Sequence, residues 1–258
     1  MGKLRVRREG RHLVLTLADA GRQNALSAEM VAEFEAALDT LPEGLGALVI
    51  EGEGGVFSAG ADLKALYAAL AQPPGESDPL EALNAAGGKF FARVHALPCV
   101  TVALVDGVAV GGGMGLAAAA DIVIATPRAR FALTETSLGL PPAQIAPYLV
   151  ARLGARVATR LALTGARLDG RDAAALGLAD LYSESDGADR LAEVLGAVGR
   201  CAPGANVVTK RLLRAVAAPD YIAEAAQAFA AALRGAEGRE GLAAFAEKRA
   251  PRWPGAEL

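Results

Sequence analysis

Residues 102–136 constrain this chain more than any other stretch. They read VALVDGVAVGGGMGLAAAADIVIATPRARFALTET. Residues 100–105 are an apolar run rich in valine, which predicts a buried strand. Gly107 breaks it. Gly111, Gly112 and Gly113 follow, then Met114, Gly115 and an alanine-rich run to Ala120 that favours helix. A tri-glycine turn therefore joins a buried strand to a helix N-terminus. Without Cβ atoms the backbone there can approach a ligand closely. The first N–H groups of the helix have no intrahelical acceptors and point at whatever sits there. Such donors suit an oxyanion that develops during a reaction. Glu135 stands downstream, after the apolar run 122–125 and a turn at Pro127. Oxyanion donors plus one carboxylate make a site for acid–base chemistry beside a carbonyl. On the glycines alone, a purely structural turn is the competing reading.

Nucleotide signatures fit poorly. No placement of G-x-G-x-x-G works across residues 107–115, and no Lys-Ser or Lys-Thr follows the glycines as a P-loop requires. The net charge of −3 leaves no basic footprint for nucleic acid. No unbroken apolar run is long enough to span a membrane. The start, MGKLRVRREGRHL, is too charged for a signal peptide and lacks the hydroxyl residue of a myristoylation signal. With two cysteines, Cys99 and Cys201, and two distant histidines, His12 and His95, neither a disulfide scaffold nor a metal site is expected. The thiols read as reduced and the protein as cytoplasmic.

The 258 residues fit one sizeable domain, or one with a helical appendage. Alternating residues predict a first strand over 11–17. Ser27 is a plausible N-cap for a helix over 28–41, with Met30, Phe34, Ala37 and Leu41 on one face. A short strand follows at 47–51, then a turn at 52–55 and an extended piece at 56–58. Ala59, Gly60 and Ala61 form a second small-residue turn, and Asp62 opens a helix over 63–71. Residues 72–79 read as a mobile loop, and 80–97 as a helix closed by Pro98. Beyond the central segment come strands at 121–125 and 131–133. Helices at 145–152 and 155–163 are separated by Gly154. Asp169 is placed to cap a helix over 170–177, and 178–182 is a last short strand. The remainder reads as helices over 190–200, 206–217, 221–235 and 238–249. The expected fold class is α/β, with a core over residues 1–185 and a helical part over 186–258.

Four stretches in this order resemble the crotonase family, the enoyl-CoA hydratase/isomerase superfamily, over nearly the whole length. They are QNALS at 23–27, FSAGADLK at 57–64, residues 107–115 with the following ADI at 120–122, and FAEKR at 245–249. The resemblance implies a spiral of ββα units and a C-terminal trimerisation region, giving a homotrimer or a hexamer built as a dimer of trimers. It also implies that the backbone N–H groups of Ala61 and Gly112 form an oxyanion hole for an acyl-CoA thioester. Arg22, Ala25, Ala59 and Lys64 would hold the CoA moiety, with Phe245 and Lys248 contacting it from the C-terminal side. Coenzyme A is then part of the substrate, and no separate cofactor or metal is implied.

Two departures matter. Hydratases of this family carry two catalytic glutamates; Glu135 matches one, but Gly115 stands at the other position. The glycine-rich run after the proline is also altered, reading PAQIAP at 142–147. One carboxylate must then do both proton tasks, with Gln144 or Tyr148 as candidates to orient water. The runs GGGMGL, LGLPPAQIAPY, RCAPGAN and RGAEG resemble the branch that hydrates 3-substituted glutaconyl-CoA esters such as isohexenylglutaconyl-CoA. The second carboxylate of such a substrate would partly replace the missing glutamate, or be admitted because that charge is gone. The expected activity is hydration of a 2-enoyl-CoA. A Δ3,Δ2-enoyl-CoA isomerase and a non-catalytic acyl-CoA-binding scaffold stay open.

Overall fold

The computed structural model describes residues 2–73, 78–215, 229, 231 and 235–253. The chain opens with a hairpin, β1 (Leu4–Glu9) and β2 (His12–Leu17), paired antiparallel with Leu4 opposite Leu17. The expected first strand is β2. The strand β1 has no counterpart in the sequence reading, because its row LRVRRE is dominated by exposed charge. Such charge suits an unpaired outer edge and blunts it against further pairing.

From β2 onward the chain lays down two sheets in alternation. The first has the order β1-β2-β3-β5-β7-β10, with β3 (Ala47–Gly52), β5 (Val100–Val105), β7 (Ile122–Ala125) and β10 (Leu181–Tyr182). From β2 to β10 every pairing is parallel. The second sheet has the order β4-β6-β8-β9, with β4 (Val56–Ser58), β6 (Val108–Val110), β8 (Arg130–Ala132) and β9 (Arg167–Asp169). Each turn of the chain thus adds one strand to each sheet. Parallel neighbours need crossovers, and helices supply them. They are α1 (Ala28–Asp39), α2 (Leu63–Leu70), α3 (Pro79–His95), α4 (Gly112–Ala119), α5 (Ala146–Thr164) and α6 (Gly170–Ala175).

The strands alternate their side chains between two cores, as the pleat dictates. Leu15, Leu48 and Ile50 face the larger core with Phe34, Phe57, Phe90, Phe131, Met114 and Leu116. Val14, Ala47, Val49, Val102 and Ile124 face the other side, where α7 (Ala188–Gly199) covers them with Val194 and Val198. Both faces are covered, which explains the continuous apolar runs. On α1 the buried residues are Met30, Phe34 and Leu38, one turn apart, and the Ser27 hydroxyl accepts the Met30 N–H at 3.3 Å. The expected break is present within α5: Gly154 is non-helical (φ 68°, ψ 157°) and divides it into two helical segments. Asp169 caps α6 as expected, accepting the Asp172 N–H.

Among the described residues, α7 is followed by helices α8 (Pro203–Arg214) and α9 (Ala236–Ala246). Lys210 on α8 lies 2.6 Å from Asp121 and donates to the Cys99 carbonyl at 3.0 Å; Arg214 also reaches Asp121, at 3.0 Å. Asp121 in turn accepts the Thr101 N–H and hydroxyl. These bonds tie α8 to the strand pair β5–β7. Most of the helix expected over 221–235, and residues 74–77 of the expected loop, lie outside the described residues.

Candidate active site

The turn at Ala59, Gly60 and Ala61 is held by a segment of unusual backbone. Gln23 and Asn24 both adopt left-handed φ (54° and 51°). Asparagine tolerates this conformation better than most residues. Its buried side chain donates to the carbonyls of Val56 (2.6 Å) and Glu53 (3.1 Å) and accepts the Asp19 N–H (2.9 Å). Ser58 donates to the Asn24 carbonyl at 2.7 Å and accepts the Gly60 N–H at 3.1 Å. The Leu26 N–H donates to the Gly60 carbonyl at 2.8 Å, within a parallel bridge between Leu26 and Ala61. Asn24→Ala would take the partner from two carbonyls and one N–H around a fully buried side chain. It is expected to cost about 2–4 kcal/mol of stability, read from the midpoint of denaturant unfolding.

Gly60 is where this turn meets the tri-glycine turn. It sits at φ +81°, and a Cβ there would lie 2.6 Å from both the Gly112 nitrogen and the Val110 carbonyl oxygen. The two turns are therefore in backbone contact. A Cβ on Gly112 would in turn lie 3.5 Å from the Ala61 nitrogen. Gly112 is the first residue of α4, so its N–H has no intrahelical acceptor. Ala61 is exposed although both turns around it are packed. Thus the structure brings Ala61 and Gly112 together.

Glu135 joins them. It opens a 3-10 turn, Glu135–Leu138, directly after β8. Its Oε1 lies 3.0 Å from the point where a Cβ on Gly111 would stand. Gly111 has φ +54°, so no side chain intrudes. The other oxygen, Oε2, is buried and has no hydrogen-bond partner among the described residues. Burial pushes the Glu135 carboxyl above its ordinary value; backbone hydrogen bonding at Glu135 and Thr134 opposes this more weakly. A half-buried carboxylate with a free oxygen, beside the turns that carry the Ala61 and Gly112 amides, can take and give a proton next to a polarised carbonyl.

The remaining expected residues are placed as follows. Ala59 opens the turn at 59–61, with its N–H already spent on the Gln23 carbonyl at 2.9 Å, and Ala25 precedes Leu26, whose N–H bonds to Gly60. Arg22 is held by Asp62 at 2.6 Å and lies 3.7 Å from Glu29. Lys64 is exposed in the first turn of α2, whose N-cap is Asp62. Lys248 is exposed just after α9. The Phe245 side chain lies outside the described residues. Two expectations are corrected. Tyr148 does not serve the cleft: its ring packs on Phe91 and His95, at 6.4 and 5.1 Å between centroids. Gln144 spends its amide on Asn84, at 2.7 Å, rather than on Glu135.

A family model described as enoyl-CoA hydratase/isomerase matches residues 12–251. The chain belongs to that family. A crystal structure of an enoyl-CoA hydratase/isomerase from Marinobacter aquaeolei superposes with a TM-score of 0.93 at 40% identity, covering 100% of both chains. AtuE of Pseudomonas aeruginosa superposes at 0.92 with 42% identity, over 99% of this chain and 100% of that one. The 2,3-dehydroadipyl-CoA hydratase of Escherichia coli is 31% identical over 99% of this chain and 100% of its own. The crotonase-like fold expected from the sequence is therefore the fold observed. Among the described residues, no helix is long and apolar enough to cross a membrane.

Proposed function

We propose that this protein adds water across the 2,3 double bond of an unsaturated acyl-CoA thioester, using Glu135 as its single catalytic carboxylate. The thioester oxygen accepts the N–H groups of Ala61 and Gly112. Glu135 holds a water, takes its proton as the oxygen attacks C3, and passes that proton to C2 as the enolate collapses. The net change is one H and one OH added, and the carboxylate returns to its starting state. The observation that carries this reading is the unpartnered buried oxygen of Glu135 beside the two abutting turns. Arg22, Ala25, Ala59 and Lys64 line the CoA side of the cleft. Phe245 and Lys248 complete it in a homotrimer or a dimer of trimers, and coenzyme A is the only nucleotide-like group required.

The favoured substrate class is a 3-substituted glutaconyl-CoA. A relative named as a hydratase of 2,3-dehydroadipyl-CoA, a dicarboxylic acyl chain, supports it. So do the exposed apolar residues Leu63, Tyr67 and Leu70 on α2, and Leu138 and Leu140 beyond Glu135, which suit an alkyl branch. Crotonyl-CoA and 3-methylglutaconyl-CoA assayed side by side at the enoyl-thioester absorbance test the proposal. The expected result is faster loss of the glutaconyl ester, a product heavier by one water, and silence in Glu135→Gln. A product of unchanged mass would instead mark a Δ3,Δ2-isomerase, which a single carboxylate also serves. Binding of acyl-CoA without turnover would mark a scaffold.

A further inference from the structure

Position 115 is where a second carboxylate would stand, and the structure shows what stands there instead. A Cβ added to Gly115 would lie 2.1 Å from Cγ2 of Ile145 and 2.7 Å from its Cβ. No real Cβ makes such a contact, so the space is filled rather than empty. Ile145 is buried, at 3% exposure, and belongs to the main apolar cluster. It is the N-cap residue of α5, ten residues after Glu135. The segment that presents the retained carboxylate therefore also presents the side chain that closes off the other position.

The geometry relates the two positions directly. The Gly115 N–H donates to the Gly111 carbonyl at 3.0 Å, so residues 111 and 115 are one turn apart on α4. Glu135 rests against Gly111 and Ile145 against Gly115. A side chain starting at 115 would begin about 6 Å along the helix from the one at 111. A carboxylate there would come within reach of the same cleft, and the two charges would raise each other's pKa.

We propose that Gly115 and Ile145 are a matched pair, in which Ile145 seals the place of a second carboxylate and so fixes this as a one-carboxylate site. Ile145 touches no reacting atom; it is a positioning residue that acts by exclusion. The inference rests on the reading that Glu135 works alone in hydration. It adds that neither residue can be changed singly to give a two-carboxylate enzyme.

Two measurements test it, and the first does not depend on catalysis. Gly115→Ala adds only the clashing carbon, and should lower the Tm of the assembled protein by roughly 2–12 °C. Ile145→Ala would keep its own Cβ in the way, so the relieving change is Ile145→Gly. In that background the cost of Gly115→Ala should vanish. Additive losses in this cycle overturn the pairing. The second measurement uses Gly115→Glu/Ile145→Gly with crotonyl-CoA. Expected are a rate at least tenfold above Gly115→Glu alone, a second carboxylate ionisation in the pH–kcat profile, and partial survival of activity when Glu135→Gln is added. A folded double variant with the profile of Ile145→Gly alone overturns the exclusion role. If the unaltered protein is indifferent to Glu135→Gln on every ester, the hydratase reading itself fails, while the Tm cycle still decides the pairing.

Discussion

Glu135→Gln is expected to lower kcat for enoyl-thioester hydration by about 10³–10⁴-fold, the upper range for a group that is both base and acid. KM should change little, because in the proposed mechanism backbone donors hold the thioester and other residues hold the CoA moiety. The same substitution should make the protein more stable at pH 7. Burial raises the folded-state pKa of Glu135, so ionising it costs more in the folded protein than in the unfolded chain. Wild-type stability therefore falls as pH rises through the folded pKa. Below the ordinary carboxylate value near 4.5 both states hold the proton and the cost is absent. Glutamine carries no such cost at any pH. Thermal unfolding should give a higher Tm for the variant at pH 7 and converging values as the pH falls below about 4. In wild-type kinetics the acidic limb of kcat/KM should lie above the ordinary carboxylate range. A variant less stable than wild type at pH 7 would contradict the burial argument.

Gly112→Pro should be the second large effect. Proline removes a single N–H that the helix does not need and sets its ring Cδ where that hydrogen pointed. At the first helical position that N–H has no intrahelical partner, and the fixed φ of proline suits the start of a helix. Gly112 occupies this position in α4. The loss of one oxyanion donor is expected to reduce kcat by about 10²–10³-fold, some 3–4 kcal/mol of transition-state stabilisation. Gly112→Ala keeps the N–H and adds a carbon no closer than 3.4 Å to its neighbours. It should retain most of the activity, provided the carbon does not block the thioester. Equal losses in the two variants would mean that the donor at Gly112 is not what polarises the carbonyl.

Much of this site was legible because it is built from backbone. A tri-glycine run after a valine-rich strand and a small-residue turn before an aspartate N-cap are local signals, and both turns formed where expected. That they abut is carried by no local signal and came only from the family resemblance, because it depends on Gly60 meeting Val110 and Gly112 between successive layers of the chain. The hairpin strand β1 escaped notice since its edge position makes it charged, not alternating. Ile145 was the sharpest miss. Gly115 and the altered run at 142–147 were both visible as departures, but only their contact shows that one explains the other. Gln144 and Tyr148 were suggested by nearness in sequence to Glu135; the 3-10 turn and the start of α5 carry both of them toward α3 instead.

The strand order also says when the molecule can be finished. In both sheets each new strand joins the one laid down a turn earlier, so a chain leaving the ribosome can add layers without waiting for distant partners. Ala61, Gly112 and Glu135 arrive on three successive layers, and the cleft is assembled before β9 exists. The outer face of the larger sheet is different. Val14, Val49, Val102 and Ile124 stay uncovered until Val194 and Val198 have been made. A nascent chain stopped near residue 185 would thus carry a nearly complete reaction site on a sheet with one bare apolar face. Release at that length should yield aggregates rather than a working fragment, and a holdase that shields that face should rescue it.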